Sequence, residues 1–471
     1  MAGPAIDPAA HISIDAYNGT HTVSGTFARN VKPWALTKPS YGELTMRPGE
    51  IEEADWQHPK VGWGVILRER DGLSPAQLAT AADAPEPIQA LVAARGGKVI
   101  RYRPQSAFAS WTLRDYGGGG DLLTATSPEG MGPKQLPKYL LIYGGPRDVP
   151  WNIQHFLNPV RHVGRLDLEG EALANYVDAL MSGWKDSATS YTQPVVWAVD
   201  HKNGDITTLM RETVAVPLRD ALDDGEITPT FIDGSTAAAT GGALLDALTM
   251  SRPALVITSS HGMTGPLDNL EAMAARLGVL VDQEHQLVTP ESVVENWEPD
   301  GAMWFAQACC SAGADSPTAY DGLFEAGSAL EQVLTGVSRV GPLVSPLPRT
   351  LLGAKKPLRA FIGHVEPTFN WTLSFPPNRQ VLTSDLTKCL YQRLCQGEPV
   401  GLAMSDYYPS IGTLLLTYLS ERQKYESLVG DAAKPSLDML VYSRIAAHDR
   451  ASTVILGDST AAMVVPEAIS E

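Results

Sequence analysis

Cysteine is scarce, with four in 471 residues: Cys309, Cys310, Cys389 and Cys395. So few exclude a disulfide-built scaffold, and adjacent cysteines such as Cys309 and Cys310 can pair only in a strained ring, so a reducing, cytoplasmic setting is expected. Positive charge is also short. With 36 Lys and Arg against 53 Asp and Glu, the formal charge is −17, and the chain lacks the basic footprint of a protein that works on nucleic acid or an anionic membrane. No apolar run is long enough to span a bilayer, and the opening MAGPAIDPAAHISIDAY has no basic-then-apolar leader pattern. GGGG (Gly117 to Gly120) lacks the Lys-Ser/Thr ending of a phosphate loop. No G-x-S-x-G follows a strand-like run, so the elbow of a serine hydrolase is missing.

What is present is an alternation. VGWGVILRE (61–69), KVIRYRP (98–104), YLLIYGG (139–145), PVVWAVD (194–200), ALVITSS (254–260), MWFAQAC (303–309) and LRAFIGHVEP (358–367) are short apolar runs. Between them lie stretches with helical spacing, such as PEPIQALVAARGG (85–97) and ALANYVDALMSGW (172–184). Short apolar strands alternating with helices predict an α/β protein with a mostly parallel sheet covered on both faces. The divisions expected are an N-terminal arm (1–58), a first α/β subdomain (59–190), a second (191–380) and a mainly helical C-terminal extension (381–471). Cys389 and Cys395 fall on helical spacing in the last and read as packing residues.

Two strand ends carry the chemistry. LVITSSHGMTG ends a strand in Ser-His-Gly, and MWFAQACCSAG ends another in Gln-Ala-Cys-Cys-Ser. In a parallel sheet, sites form outside the carboxyl ends of the strands, so His261 and Cys309 or Cys310 are expected on one edge. A thiol becomes a nucleophile when a histidine generates or stabilises its thiolate. Gly262 removes a side chain beside that histidine, so its N–H, with that of Cys309, suits an oxyanion hole. Each motif alone is more often simple packing; together they have the residue types, the order and a spacing of 48 (309 − 261), close to the roughly 50 of the caspase signature.

SSHG followed by FAQACCS resembles the catalytic pair of the caspase-like cysteine peptidases, which include caspases, metacaspases, gingipains, separase and bacterial CHAT-domain proteases. Gln307-Ala308-Cys309 matches the caspase Gln-Ala-Cys, and the chain departs from it at Cys310-Ser311; Cys309-Cys310-Ser311 also fits the Cys-x-Ser of metacaspases and CHAT proteins. Residues 139–177 are similar to a gingipain-like segment in which a strand ends in Gly and a Gly-Arg-Leu precedes a helix. The resemblance covers roughly residues 60–375 and is strong only around the two motifs. It implies a three-layer α-β-α fold and a Cys-His dyad endopeptidase that needs no metal or other cofactor and acts on protein substrates. Cys309 would be the nucleophile, His261 the acid and base, and Gly262 and Cys309 the oxyanion donors. It also implies restraint, relieved by proteolysis through an upstream protease or the enzyme itself, by a regulatory partner or by a metal ion.

For the residue before the scissile bond, Gln307 corresponds to a caspase pocket residue but is neutral. The acidic balance and Asp315 tilt the expectation toward Arg or Lys, with Asp315 as a helix N-cap or loop residue the other reading. Cys310 is expected to point away from the cleft, with a redox guard or the nucleophile itself as alternatives. His201 and His364 are expected to position other groups at most. The proline-rich, basic stretch 338–359 reads as a solvated connection or as a processing loop cut at Arg349, Lys355, Lys356 or Arg359. A zinc site at His261, Cys309 and Cys310 is disfavoured by vicinal spacing. The competing function is a caspase-like module that binds peptide without cutting it.

Overall fold

Short apolar runs become strands, and their alternation decides which face each residue serves. The computed structural model describes residues 12–20, 22–25 and 52–465. Its centre is a twelve-stranded sheet. In chain order the strands are β1 (Trp63–Arg68), β2 (Lys98–Tyr102), β3 (Thr112–Asp115), β4 (Gly120–Leu123), β5 (Tyr139–Tyr143), β6 (His162–Leu166), β7 (Val195–Ala198), β8 (Thr230–Asp233), β9 (Leu255–Ser259), β10 (Met303–Gln307), β11 (Ala360–His364) and β12 (Thr453–Gly457). Across the sheet the order is β8-β7-β9-β10-β11-β12-β6-β5-β1-β2-β3-β4.

The strands fall into two parallel blocks. β8, β7, β9, β10 and β11 run one way, and β12, β6, β5, β1 and β2 run the other. The blocks meet at the antiparallel pair β11/β12, in register from Ala360↔Gly457 to His364↔Thr453. Their carboxyl ends therefore face opposite edges of the sheet.

Period-two alternation sends successive side chains to two apolar layers. Val256, Trp304, Ala306, Phe361 and Val454 share one core with Val65, Leu141 and Trp197. Leu255, Ile257, Met303, Phe305, Ile362 and Ile455 face another, which includes Leu390, Ile411 and Ala447 from the later helices. Helices thus cover both faces, and the first core runs through both blocks. The fold is mixed α/β with a large, mostly parallel central sheet.

The C-terminal region holds more than helices. The pair Pro409–Ser427 and Lys434–Ala451 leads into β12, which is laid in the middle of the sheet. A Cβ at Gly164 of β6 would lie 2.0 Å from Gly457 O, so glycine is what lets β12 seat there. Most of the expected N-terminal arm lies outside the described residues. Within them, Ile12–Tyr17 and Thr22–Gly25 join a second sheet with His261–Met263, Leu280–Val281 and Leu287–Val288.

Candidate active site

The loops after β7, β9, β10 and β11 gather at one sheet edge. β9 and β10 pair from Leu255↔Met303 to Ser259↔Gln307, and the Ser260 N–H donates to Gln307 O (3.2 Å). Two residues beyond the last paired positions stand His261 and Cys309, both fully buried. Gly262 shows how close the two segments run: a Cβ there would lie 1.9 Å from Cys309 O and 3.1 Å from Cys309 N. Any other residue would push the two apart.

Asp205, which the sequence analysis did not single out, holds His261. Its carboxylate oxygens lie 3.0 and 3.1 Å from His261 Nε2. Asp205 is itself fixed as the N-cap of helix Ile206–Met210, accepting from Thr207 N (2.9 Å) and Thr207 Oγ1 (2.6 Å). Burial opposes its ionisation, but the hydrogen bond and charge of His261 and the bonds from Thr207 outweigh it, holding the carboxyl well below the usual range. A carboxylate on Nε2 keeps the neutral ring's proton there and makes Nδ1 the basic nitrogen. The signal in the sequence was Asp directly before the helical run Ile-Thr-Thr-Leu, an N-cap pattern just past a strand end.

Rings extend this cluster outward. His201 stacks on His261 with centroids 5.5 Å apart and on His285 at 4.4 Å. Burial, and then the charge of His261, lowers the His201 pKa to about 4, so this ring is neutral at neutral pH.

On the other side, the Thr368 N–H donates to Cys309 Sγ at 3.3 Å. The Cys309 thiol in turn donates to Thr368 O (3.8 Å). That segment is organised by Asp449, from the helix preceding β12: Asp449 Oδ2 accepts from Thr368 Oγ1 (2.9 Å), Phe369 N (3.3 Å) and Thr372 Oγ1 (2.5 Å). The C-terminal helices therefore reach the site. His364 lies behind it, its N–H donating to Ser311 Oγ (2.9 Å) and its Nδ1 3.8 Å from Asp449 Oδ1.

Cys310 faces an apolar cluster with Met273 and Leu277. Its backbone is left-handed, at φ 55°; its N–H donates to Glu366 O (3.0 Å) and its carbonyl accepts from Ser345 Oγ (2.5 Å). Gln307 is buried within β10 on the face of Met303 and Phe305. Asp315 does not cap a helix; its carboxylate accepts from Ser316 N (2.8 Å). Burial, with Glu366 adding to it, raises the Asp315 pKa to about 6. Glu366, also missed in the sequence, is buried with left-handed backbone (φ 72°). One of its oxygens bonds His448 Nε2 (3.0 Å) and the other, Oε1, has no partner.

The four candidate processing positions are placed differently. Residues Pro346–Leu352 form a helix that carries Arg349, whose Nε donates to Asp167 O (3.2 Å). Arg359 is buried, donates to Gly301 O (2.7 Å) and Ala462 O (2.8 Å), and lies over the Trp184 ring. A protease cannot reach it. Lys355 and Lys356 are exposed, Lys356 paired with Glu298 at 2.8 Å.

No family model, no curated protein and no solved structure matches the chain. Among the described residues, no group of three or more His, Cys, Asp or Glu is placed to hold a metal ion, and no helix is long and apolar enough to cross a membrane.

Proposed function

We propose that the chain is a caspase-like cysteine endopeptidase acting on protein substrates in a reducing, cytoplasmic setting. The observation that carries the reading is the Asp205–His261 pair at 3.0 Å on the same edge as Cys309, whose sulfur accepts the Thr368 N–H. In the reaction, His261 Nδ1 takes the Cys309 proton and the thiolate attacks the scissile carbonyl. The oxyanion forms against the N–H groups of Gly262 and Cys309. His261 then gives its proton to the leaving amine as the C–N bond breaks, leaving a thioester. Water, deprotonated by His261, attacks that thioester, releasing the carboxylic acid and restoring the thiol. Asp205 orients the imidazole and stabilises the imidazolium.

A basic residue before the scissile bond is supported by two neighbouring carboxylates, Asp315 and Glu366, the latter with an oxygen that has no partner. The deciding experiment is a peptide-library cleavage profile of wild type against Cys309→Ala. Cys309-dependent cleavage after Arg or Lys is expected. No cleavage and no Cys309-dependent labelling by a thiol-reactive peptide, even from a form with the site open, would overturn the peptidase reading. Full burial of both His261 and Cys309 favours a second reading, a module that holds peptide without cutting it.

A further inference from the structure

We propose that Ile12–Tyr17 and Thr22–Gly25 form a strap that closes the Cys309–His261 site by occupying the course an extended substrate peptide would take. This rests on the peptidase reading of the same site and says how that site is regulated and entered.

The strap touches both walls. On one side Ile12–Tyr17 adds as a parallel strand to His261–Met263, with Ala16 opposite Gly262 and Tyr17 opposite Met263. On the other, Ile14 bridges Phe369, next to the Thr368 whose N–H holds the Cys309 sulfur. Ile14 and Ala16 are fully buried and share one apolar cluster with Cys309 and Phe369. Farther along, a Cβ at Gly265 would lie 2.0 Å from Asn18 O, so the body is shaped to let this segment approach.

Backbone direction sharpens the point. The Met263 N–H is spent on Val279 O, and the Thr264 N–H on Tyr17 O of the strap. Donors alternate along a strand, so the Gly262 N–H, two residues before Thr264, points to the strap side. The strap thus lies where a substrate carbonyl would need that donor. Tyr17 also stacks on His285 (5.0 Å), completing a column of rings through His201 to His261.

The hairpin lies outside the twelve-stranded sheet, and a two-stranded hairpin is marginal on its own, so it can be displaced while that sheet stays intact. Once it leaves, the same edge accepts a substrate by strand addition, with main-chain bonds giving affinity and side-chain pockets giving choice.

The test uses the full chain and iodoacetamide, whose reaction with Cys309 is followed by mass spectrometry and needs no peptidase activity. Ile14→Asp places a charge in the apolar cluster and is expected to raise the Cys309 alkylation rate at least tenfold; a synthetic peptide of residues 12–25 restores protection. A lock provides the reverse. An ideal Cβ at Gly25 lies 3.7 Å from Leu330 Cβ, within disulfide range, so oxidised Gly25→Cys/Leu330→Cys should react at least tenfold more slowly than the same protein reduced. Equal rates in wild type, Ile14→Asp and both states of the lock would overturn the strap. Cys309-dependent peptide hydrolysis at one rate in locked and unlocked protein would overturn it too, while leaving the peptidase reading intact. Faster alkylation on release without any hydrolysis would keep the strap as a gate and remove the peptidase reading.

Discussion

Asp205 grips His261 from the Nε2 side, with both carboxylate oxygens within 3.1 Å. The pair joins a helix N-cap after β7 to the strand end after β9, so the imidazole is oriented by elements 56 residues apart in sequence. Asp205→Asn keeps the shape but can present its amide N–H to Nε2, favouring the tautomer with its proton on Nδ1. We expect kcat/KM for Cys309-dependent hydrolysis to fall by about 10² or more, and the variant to lose at pH 7 the stability that the charged carboxylate contributes.

The same carboxylate sets an acid limit. Its folded-state pKa is depressed, so the stabilisation it gives is complete above its unfolded pKa, about 3.9, and is lost as pH falls through the lower folded value. Chemical denaturation of wild type and Asp205→Asn should give curves that converge below pH about 4.

Asp315 behaves in the opposite sense. Burial raises its pKa to about 6, so the folded state holds a proton the unfolded chain has released, and stability falls as pH rises from about 4 to 6. Asp315→Asn should stabilise the protein by about 1–2 kcal/mol at pH 7 and have no effect below pH 4. Loss of Arg/Lys selectivity in the same variant would place Asp315 in the substrate pocket.

Gly262→Ala forces a methyl group to within 1.9 Å of a main-chain oxygen. The neighbour is backbone and cannot rotate away, so a loss of about 2 kcal/mol or more is expected. Gly120→Ala, with nothing within 4 Å, is the control, and urea midpoints compare the two.

Arg359 and the lysines before it separate a structural cation from surface ones. Arg359→Ala leaves the Gly301 and Ala462 carbonyls without their donor in a buried setting, at a cost of about 2–4 kcal/mol. Lys355→Ala and Lys356→Ala should leave the urea midpoint unchanged.

Much of this site was legible because strand ends are local features. The apolar runs 254–260 and 303–309 carry their alternation in the sequence, so β9, β10 and the residues just beyond them follow from pattern and parallel-sheet geometry. Asp205 was harder to see, since Lys-Asn-Gly-Asp is a turn in fact as well as in appearance, and only its meeting with His261 gives the aspartate a second task. Thr368, Asp449 and Glu366 converge from β11 and a distant helix, and such contacts leave no trace in spacing. β12 was hidden for a related reason: Thr-Val-Ile-Leu-Gly is five residues after a long helix, and its place between β11 and β6 is set by partners far away in sequence. The stretch around Arg359 misled because proline and basic residues suggest a loop, whereas Pro346 opens a helix and Arg359 finds buried carbonyls.

The position of β12 also orders events during synthesis. When a ribosome has made His261 and Cys309 it must add about 150 more residues before Thr453–Gly457 can be laid between the two blocks, which at roughly 5–20 residues per second takes on the order of ten seconds. A chain broken off in that interval carries His261 and Cys309 but lacks the strand that joins the halves, and one that ends before Asp449 also lacks the carboxylate that organises the Thr368–Thr372 segment. The surroundings of Cys309 are therefore completed only when nearly the whole chain has been made.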